Sequence, residues 1–164
     1  MKKLIIAILF SLLISCSYHI PPRMKYHIAS NYAEDEAYII TEGLYRGMDK
    51  ILNCDYLIEN YYSNWTKAIV LQQDGVTFKS LVEFITNQER YSEDAICGLV
   101  SQVNYPNTIF LSENIFYNGT GCPSNFVIAH ELLHIIGFHH NTVEEKDVFN
   151  TVARKCEIVY VKSK

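Results

Sequence analysis

HELLHIIGFHH, residues 130–140, places five titratable side chains in a run otherwise built of leucine, isoleucine, phenylalanine and one glycine. Burying such groups is costly unless something partners them, so this segment constrains the fold more than any other. On a helix, His130 and His134 stand about 40° apart in azimuth and one turn apart along the axis. Their imidazoles can converge on one ion. Glu131 stands about 100° round from His130, where it can face the open side of that ion without binding it. In a continued helix His140 would lie about 15 Å along the axis from His130 and about 80° off, out of reach. Gly137 resolves the conflict, because glycine tolerates the left-handed conformation that ends a helix and reverses the chain. A turn there swings His140 back as a third ligand. Three protein ligands with one open position is the arrangement of catalytic zinc. There Glu131 can take a proton from the attacking water and pass it to a leaving amine. His139 is expected in a supporting or exposed position.

The surrounding pattern predicts an α+β chain. Residues 31–52 read as a helix that opens with Glu34, Asp35 and Glu36 and repeats apolar residues at helical period. Residues 55–62 and 66–72 read as strands, Asp74-Gly75 as a turn, and residues 80–87 as a short helix. Two more strands follow, residues 98–104 and 108–112, broken by Tyr105-Pro106-Asn107. Residues 118–121 form a loop. Ser124 or Asn125 caps a second helix over residues 126–136. The expected architecture is a mixed twisted sheet backed by these two helices. Asn64-Trp65-Thr66 and Asn118-Gly119-Thr120 match the glycosylation pattern, which is common by chance and is not taken as functional.

The N-terminus carries an address. Lys2 and Lys3 precede an uncharged apolar run over residues 4–14, which has the layout of a secretory signal. The run falls short of the roughly 20 residues a spanning helix needs. It ends Leu13-Ile14-Ser15-Cys16, which resembles a bacterial lipobox. The resemblance implies cleavage after residue 15 and a lipid on Cys16, with residues 16–25 as a tether and residues 26–164 as one domain. Ser17 after the cysteine leans toward the outer membrane of a Gram-negative envelope; with Cys16 unlipidated, the chain would be freely secreted. Loss of residues 1–15 removes two lysines and no acids, taking the net charge from −4 to −6. An acidic chain without clustered Lys and Arg argues against a nucleic-acid partner. Four cysteines then remain, Cys54, Cys97, Cys122 and Cys156. An even count in an exported chain reads as two disulfides, with three pairings open. None has the CxxC spacing of a zinc site.

His130, Glu131, His134, Gly137 and His140 resemble the zinc signature of the metzincin metallopeptidases. Five fixed positions, each at about 5% average usage, match by chance on the order of once in 10⁴ such chains. The resemblance implies a metzincin-like fold and a zinc endopeptidase acting on protein or peptide substrates. It assigns His130, His134 and His140 to Zn2+ and Glu131 to the general base. It makes residues 98–104 the cleft's edge strand, with Gly98, Leu99 and Val100 binding an extended substrate by strand addition. In that frame Cys97 pairs with Cys122 to brace the cleft, and Cys54 pairs with Cys156 to pin the C-terminal segment.

Two departures stand out. Metzincins carry a methionine turn after the third histidine, and no methionine follows His140. Asp147-Val148-Phe149-Asn150 is expected as its counterpart, with Phe149 as an apolar floor. Only 24 residues follow His140, so the C-terminal subdomain is minimal and leaves little wall for a pocket. Tyr160 is a further candidate, for stabilising an oxyanion. The rival reading is a zinc-binding envelope lipoprotein without proteolysis; Glu131 speaks against it, because a carrier needs no base beside the ion.

Overall fold

A computed structural model gives the structure of the chain over residues 24–80, 96–117 and 121–159. The export segment with Cys16, the short helix expected after Ser80, the triplet at residues 118–120 and Tyr160 lie outside those residues. Met24, at the end of the expected tether, is buried in the core.

Helix α1 (Glu34–Leu52) begins with three acids at the positive end of its dipole. Glu36 accepts a hydrogen bond from the backbone N–H of Ala33 at 2.8 Å. Its buried face is Ile40, Gly43, Leu44, Gly47, Met48 and Ile51, spaced at three and four residues as a core-facing helix requires.

Helices α2 (Asp55–Asn60) and α3 (Tyr62–Asp74) occupy the region where sequence predicts two strands. Tyrosine, valine and isoleucine favour strands locally. The buried or half-buried Leu57, Tyr61, Trp65, Ala68 and Leu71 recur at helical period, however. Tertiary burial of that stripe decides the conformation. Gly75 ends α3 at φ 93°, and β2 (Val76–Ser80) leaves at once with Val76 and Phe78 inward.

The sheet is four-stranded and mixed, in the order β1-β2-β4-β3. β1 (Tyr26–Ile28) pairs parallel with β2, β2 parallel with β4 (Thr108–Leu111), and β3 (Gly98–Val100) antiparallel with β4. β4 is flanked on both sides and buried at all four positions. β3 is shorter than expected: its register ends at Val100↔Ile109, and a turn follows in which the Tyr105 N–H donates to the Ser101 carbonyl at 2.8 Å.

Helix α4 (Ser124–Ile135) lies over β3 and β4 and packs along α1. Its cap is neither Ser124 nor Asn125 but Pro123, whose carbonyl accepts from the N–H groups of Phe126 and Val127 at 3.0 Å each. Close approach of α1 and α4 depends on two glycines. A Cβ on Gly47 would lie 3.0 Å from the Ala129 Cα, and one on Gly43 would collide with the Ile128 side chain.

The last helix, α5 (Val143–Lys155), replaces the turn expected over residues 147–150. Thr142 and Glu145 form a reciprocal capping box at its start. Phe149, Val152, Ala153 and Cys156 then face the core. The described chain therefore holds five α-helices, not two, around an α+β core. Two disulfides close it, Cys54–Cys156 and Cys97–Cys122. Among the described residues no helix is long and apolar enough to cross a membrane.

Candidate metal centre

The end of α4 builds the site. Gly137 stands at φ 106°. The N–H of Phe138 donates to the Leu133 carbonyl at 3.0 Å, and that of Gly137 donates to the His134 carbonyl at 3.1 Å. This is the paired bonding of a Schellman turn. The chain reverses, and His140 comes back to the two histidines of the helix. One nitrogen from each of His130, His134 and His140 lies within 4.8 Å of the others. The three can hold a metal ion. His139 is outside this cluster: it is exposed and stacks on His134 with ring centroids 5.9 Å apart.

Hydrogen bonding orients the second histidine. The Phe138 carbonyl lies 2.7 Å from His134 Nδ1. A carbonyl only accepts, so Nδ1–H donates and Nε2 keeps its lone pair for a metal. That Nε2 lies 3.2 Å from His130 Nε2. Zinc–nitrogen bonds of about 2.0–2.1 Å in a tetrahedron place ligands about 3.3–3.4 Å apart, so this edge fits. Burial, reinforced by His134 and His140, lowers the His130 pKa to about 4. Burial also lowers that of His134. Both imidazoles are thus neutral near pH 7, the state that binds metal.

Phe149 lies against all three rings, with centroids 4.7 Å from His130, 5.0 Å from His134 and 5.1 Å from His140. Phe149 was expected from a turn; it reaches these rings from a helix instead.

Glu131 reaches β3 while sharing a cavity wall with His130. It is 5% exposed, and burial pushes its pKa up to about 8. Its carboxyl rests against Gly98: a Cβ there would lie 2.8 Å from Glu131 Oε1 and 2.9 Å from Cγ. Among the described residues Gly98, Leu99 and Val100 form an edge strand of the sheet, and the first of them touches the candidate base. The Cys97–Cys122 disulfide, with Cα atoms 5.6 Å apart, ties the start of β3 to the start of α4.

A cavity of about 360 Å³ opens beside His130 and Glu131, lined among others by Gly98, Val127, Phe149, Ala153 and Ile158. The short C-terminal part was expected to leave little wall. Through α5 and the residues after it, this part supplies Phe149, Asn150, Ala153, Ile158 and Val159 to the lining.

Sequence reading missed Asn64 and Gln102. The Asn64 amide donates to the Ile136 carbonyl at 2.8 Å, and the Gln102 amide to the Ile135 carbonyl at 3.1 Å. Nothing local in the sequence signals either contact, since the partners lie 72 and 33 residues away. The bond from Asn64 also commits the side-chain nitrogen that glycosylation would use.

No protein-family model matches the chain, and comparison with curated proteins and with solved structures finds no match.

Proposed function

We propose that the protein is a zinc-dependent endopeptidase of metzincin type, exported and held at the cell envelope by a lipid on Cys16. The observation that carries the reading is the three-histidine cluster with Glu131 buried beside it, facing the terminal strand β3. His130, His134 and His140 would hold the ion. When bound, zinc supplies Lewis acidity toward a peptide carbonyl and acidifies the attacking water. Glu131 takes the proton from that water and delivers it to the leaving nitrogen. Burial raises the Glu131 pKa in the metal-free protein, so the carboxyl can hold a proton near neutrality, as its return to the leaving nitrogen requires. β3 receives the substrate as an added strand, its backbone groups fixing the scissile bond over the histidines. Two disulfides support an oxidising compartment and hence export.

One observation favours a second reading, a zinc-binding envelope lipoprotein without proteolysis. The segment after His140 is a helix with Phe149 under the site, where the peptidase family has a turn with methionine. Metal analysis of the purified chain and a peptide-library digest, run on wild type and Glu131→Gln, separate the two. About one zinc per chain, with cleavage that the variant loses, is the expected result. One zinc without cleavage in either protein would support the binding lipoprotein, and no metal would overturn both.

A further inference from the structure

The last four carbonyls of a helix have no partner within it. At the end of α4 each has found one. Leu133 and His134 are satisfied by the turn itself, through the N–H groups of Phe138 and Gly137. Ile135 and Ile136 are satisfied from outside, by Gln102 in the turn after β3 and by Asn64 in α3. The two side chains reach the helix from different parts of the fold, and both are half-buried.

We propose that Asn64 and Gln102 are positioning residues for the metal centre: by holding the Ile136 and Ile135 carbonyls they set where the chain turns toward His140. The inference rests on the metal reading of the three histidines. His130 and His134 are placed by the helix and need no such help. His140 lies beyond the helix, with its ring against Phe149, and the path of residues 136–139 that carries it back starts at the two clamped carbonyls. Phe138 passes the constraint on, since its N–H closes the turn and its carbonyl orients His134. Its ring is seated edge-on against Tyr61 at 5.2 Å, and Tyr61 lies three residues before Asn64. The fit at the turn is close. A Cβ on Gly137 would stand 3.2 Å from both the Asn64 amide nitrogen and the Lys67 ammonium. The glycine therefore serves two needs, the positive φ and the room for the clamp.

The test compares the full chain with Asn64→Asp, Asn64→Leu and Gln102→Leu. Asn64→Asp keeps the shape but sets an acceptor against an acceptor, so it separates the bond from the packing. Two quantities are read: zinc affinity with the visible spectrum of the cobalt-loaded protein, and exchange of the Gly137 and Phe138 amides in the metal-free protein. Roughly 10-fold to 100-fold weaker zinc binding is expected in each variant, with an altered cobalt spectrum and faster exchange at both amides. A merely structural role would lower the melting temperature and leave zinc affinity and the cobalt spectrum unchanged, and that result would overturn the proposal. So would an Asn64→Asp variant that behaves as wild type. If wild type binds no metal, the metal reading fails by itself; faster amide exchange in the variants would then still support the clamp on the turn, and unchanged exchange would overturn it as well.

Discussion

Gly98 and Glu131 are in contact because one of them has no side chain: a methyl group on Gly98 would sit 2.8 Å from the Glu131 carboxyl oxygen. The proposed base and β3 are thus fitted to each other. Gly98→Ala should move the Glu131 carboxyl while leaving the three histidines in place. Zinc content is expected to stay at the wild-type level and kcat on a peptide substrate to fall about 100-fold, the scale of loss for a small misplacement at a reacting centre. An unchanged kcat would show that the carboxyl tolerates the shift.

Metal-free stability should depend on pH through the same carboxyl. The Glu131 pKa is raised in the fold, from 4.5 to about 8. Its contribution is fully present below pH 4.5 and is lost as pH rises through 8. His130 acts oppositely: its pKa is lowered from 6.5 to about 4, so its contribution is present above pH 6.5 and lost as pH falls through 4. Burial lowers the His134 pKa as well, so between pH 4.5 and 6.5 the glutamate opposes both histidines. From pH 6.5 to 8 only the glutamate slope remains. Urea unfolding of the chelated protein should show declining stability over that window, and Glu131→Gln should abolish the decline.

Phe149 can be tested by size and by chemistry. Phe149→Ala removes the ring under three imidazoles and is expected to cost about 3–5 kcal/mol. Phe149→Met roughly conserves volume, should cost less than about 1.5 kcal/mol, and should keep the zinc. Calorimetry with metal analysis would check both. Loss of metal in the methionine variant would mean that the aromatic ring itself matters.

Glu157 ends α5 at φ 56°, a conformation that costs a side-chain-bearing residue about 1–2 kcal/mol. It occupies the place that glycine takes in α4, and its N–H and that of Ile158 close the same kind of turn. Lys50 donates to the Glu157 backbone carbonyl at 2.6 Å, a bond that survives loss of the side chain, and pairs at 3.7 Å with the exposed Glu157 carboxylate, a contact that contributes little. Glu157→Gly should therefore stabilise the protein by about 0.5–1 kcal/mol, after the added freedom of glycine in the unfolded chain is counted. A lower urea midpoint in the variant would contradict this.

The helix of residues 124–135 and the reversal at Gly137 could be read from sequence because they are local. Spacing of four residues and a glycine at the right place say where two imidazoles and a turn will be. Phe149 was singled out through the resemblance alone, which gave it a turn where the chain has a helix. The capping box at Thr142 and Glu145 and the apolar spacing from Phe149 to Cys156 carried that signal, and a template with a turn in that position obscured it. Helices α2 and α3 were hidden for a different reason. Their tyrosines and β-branched residues favour strands one by one, and only the longer stripe from Leu57 to Leu71 reveals the helical face. The bonds from Asn64 and Gln102, and the contact between Gly98 and Glu131, could not be read at all, because they exist only once distant segments meet.

The Cys54–Cys156 disulfide joins positions 102 residues apart, and every candidate metal ligand lies between them. A chain emerging from its N-terminus presents Cys54 long before its partner. The histidines follow while α5 and Phe149 are still unmade. Closure of this bond therefore cannot precede the making of α5, and a nascent chain that has not yet reached Cys156 carries the three histidines before the helix that holds Phe149 is complete.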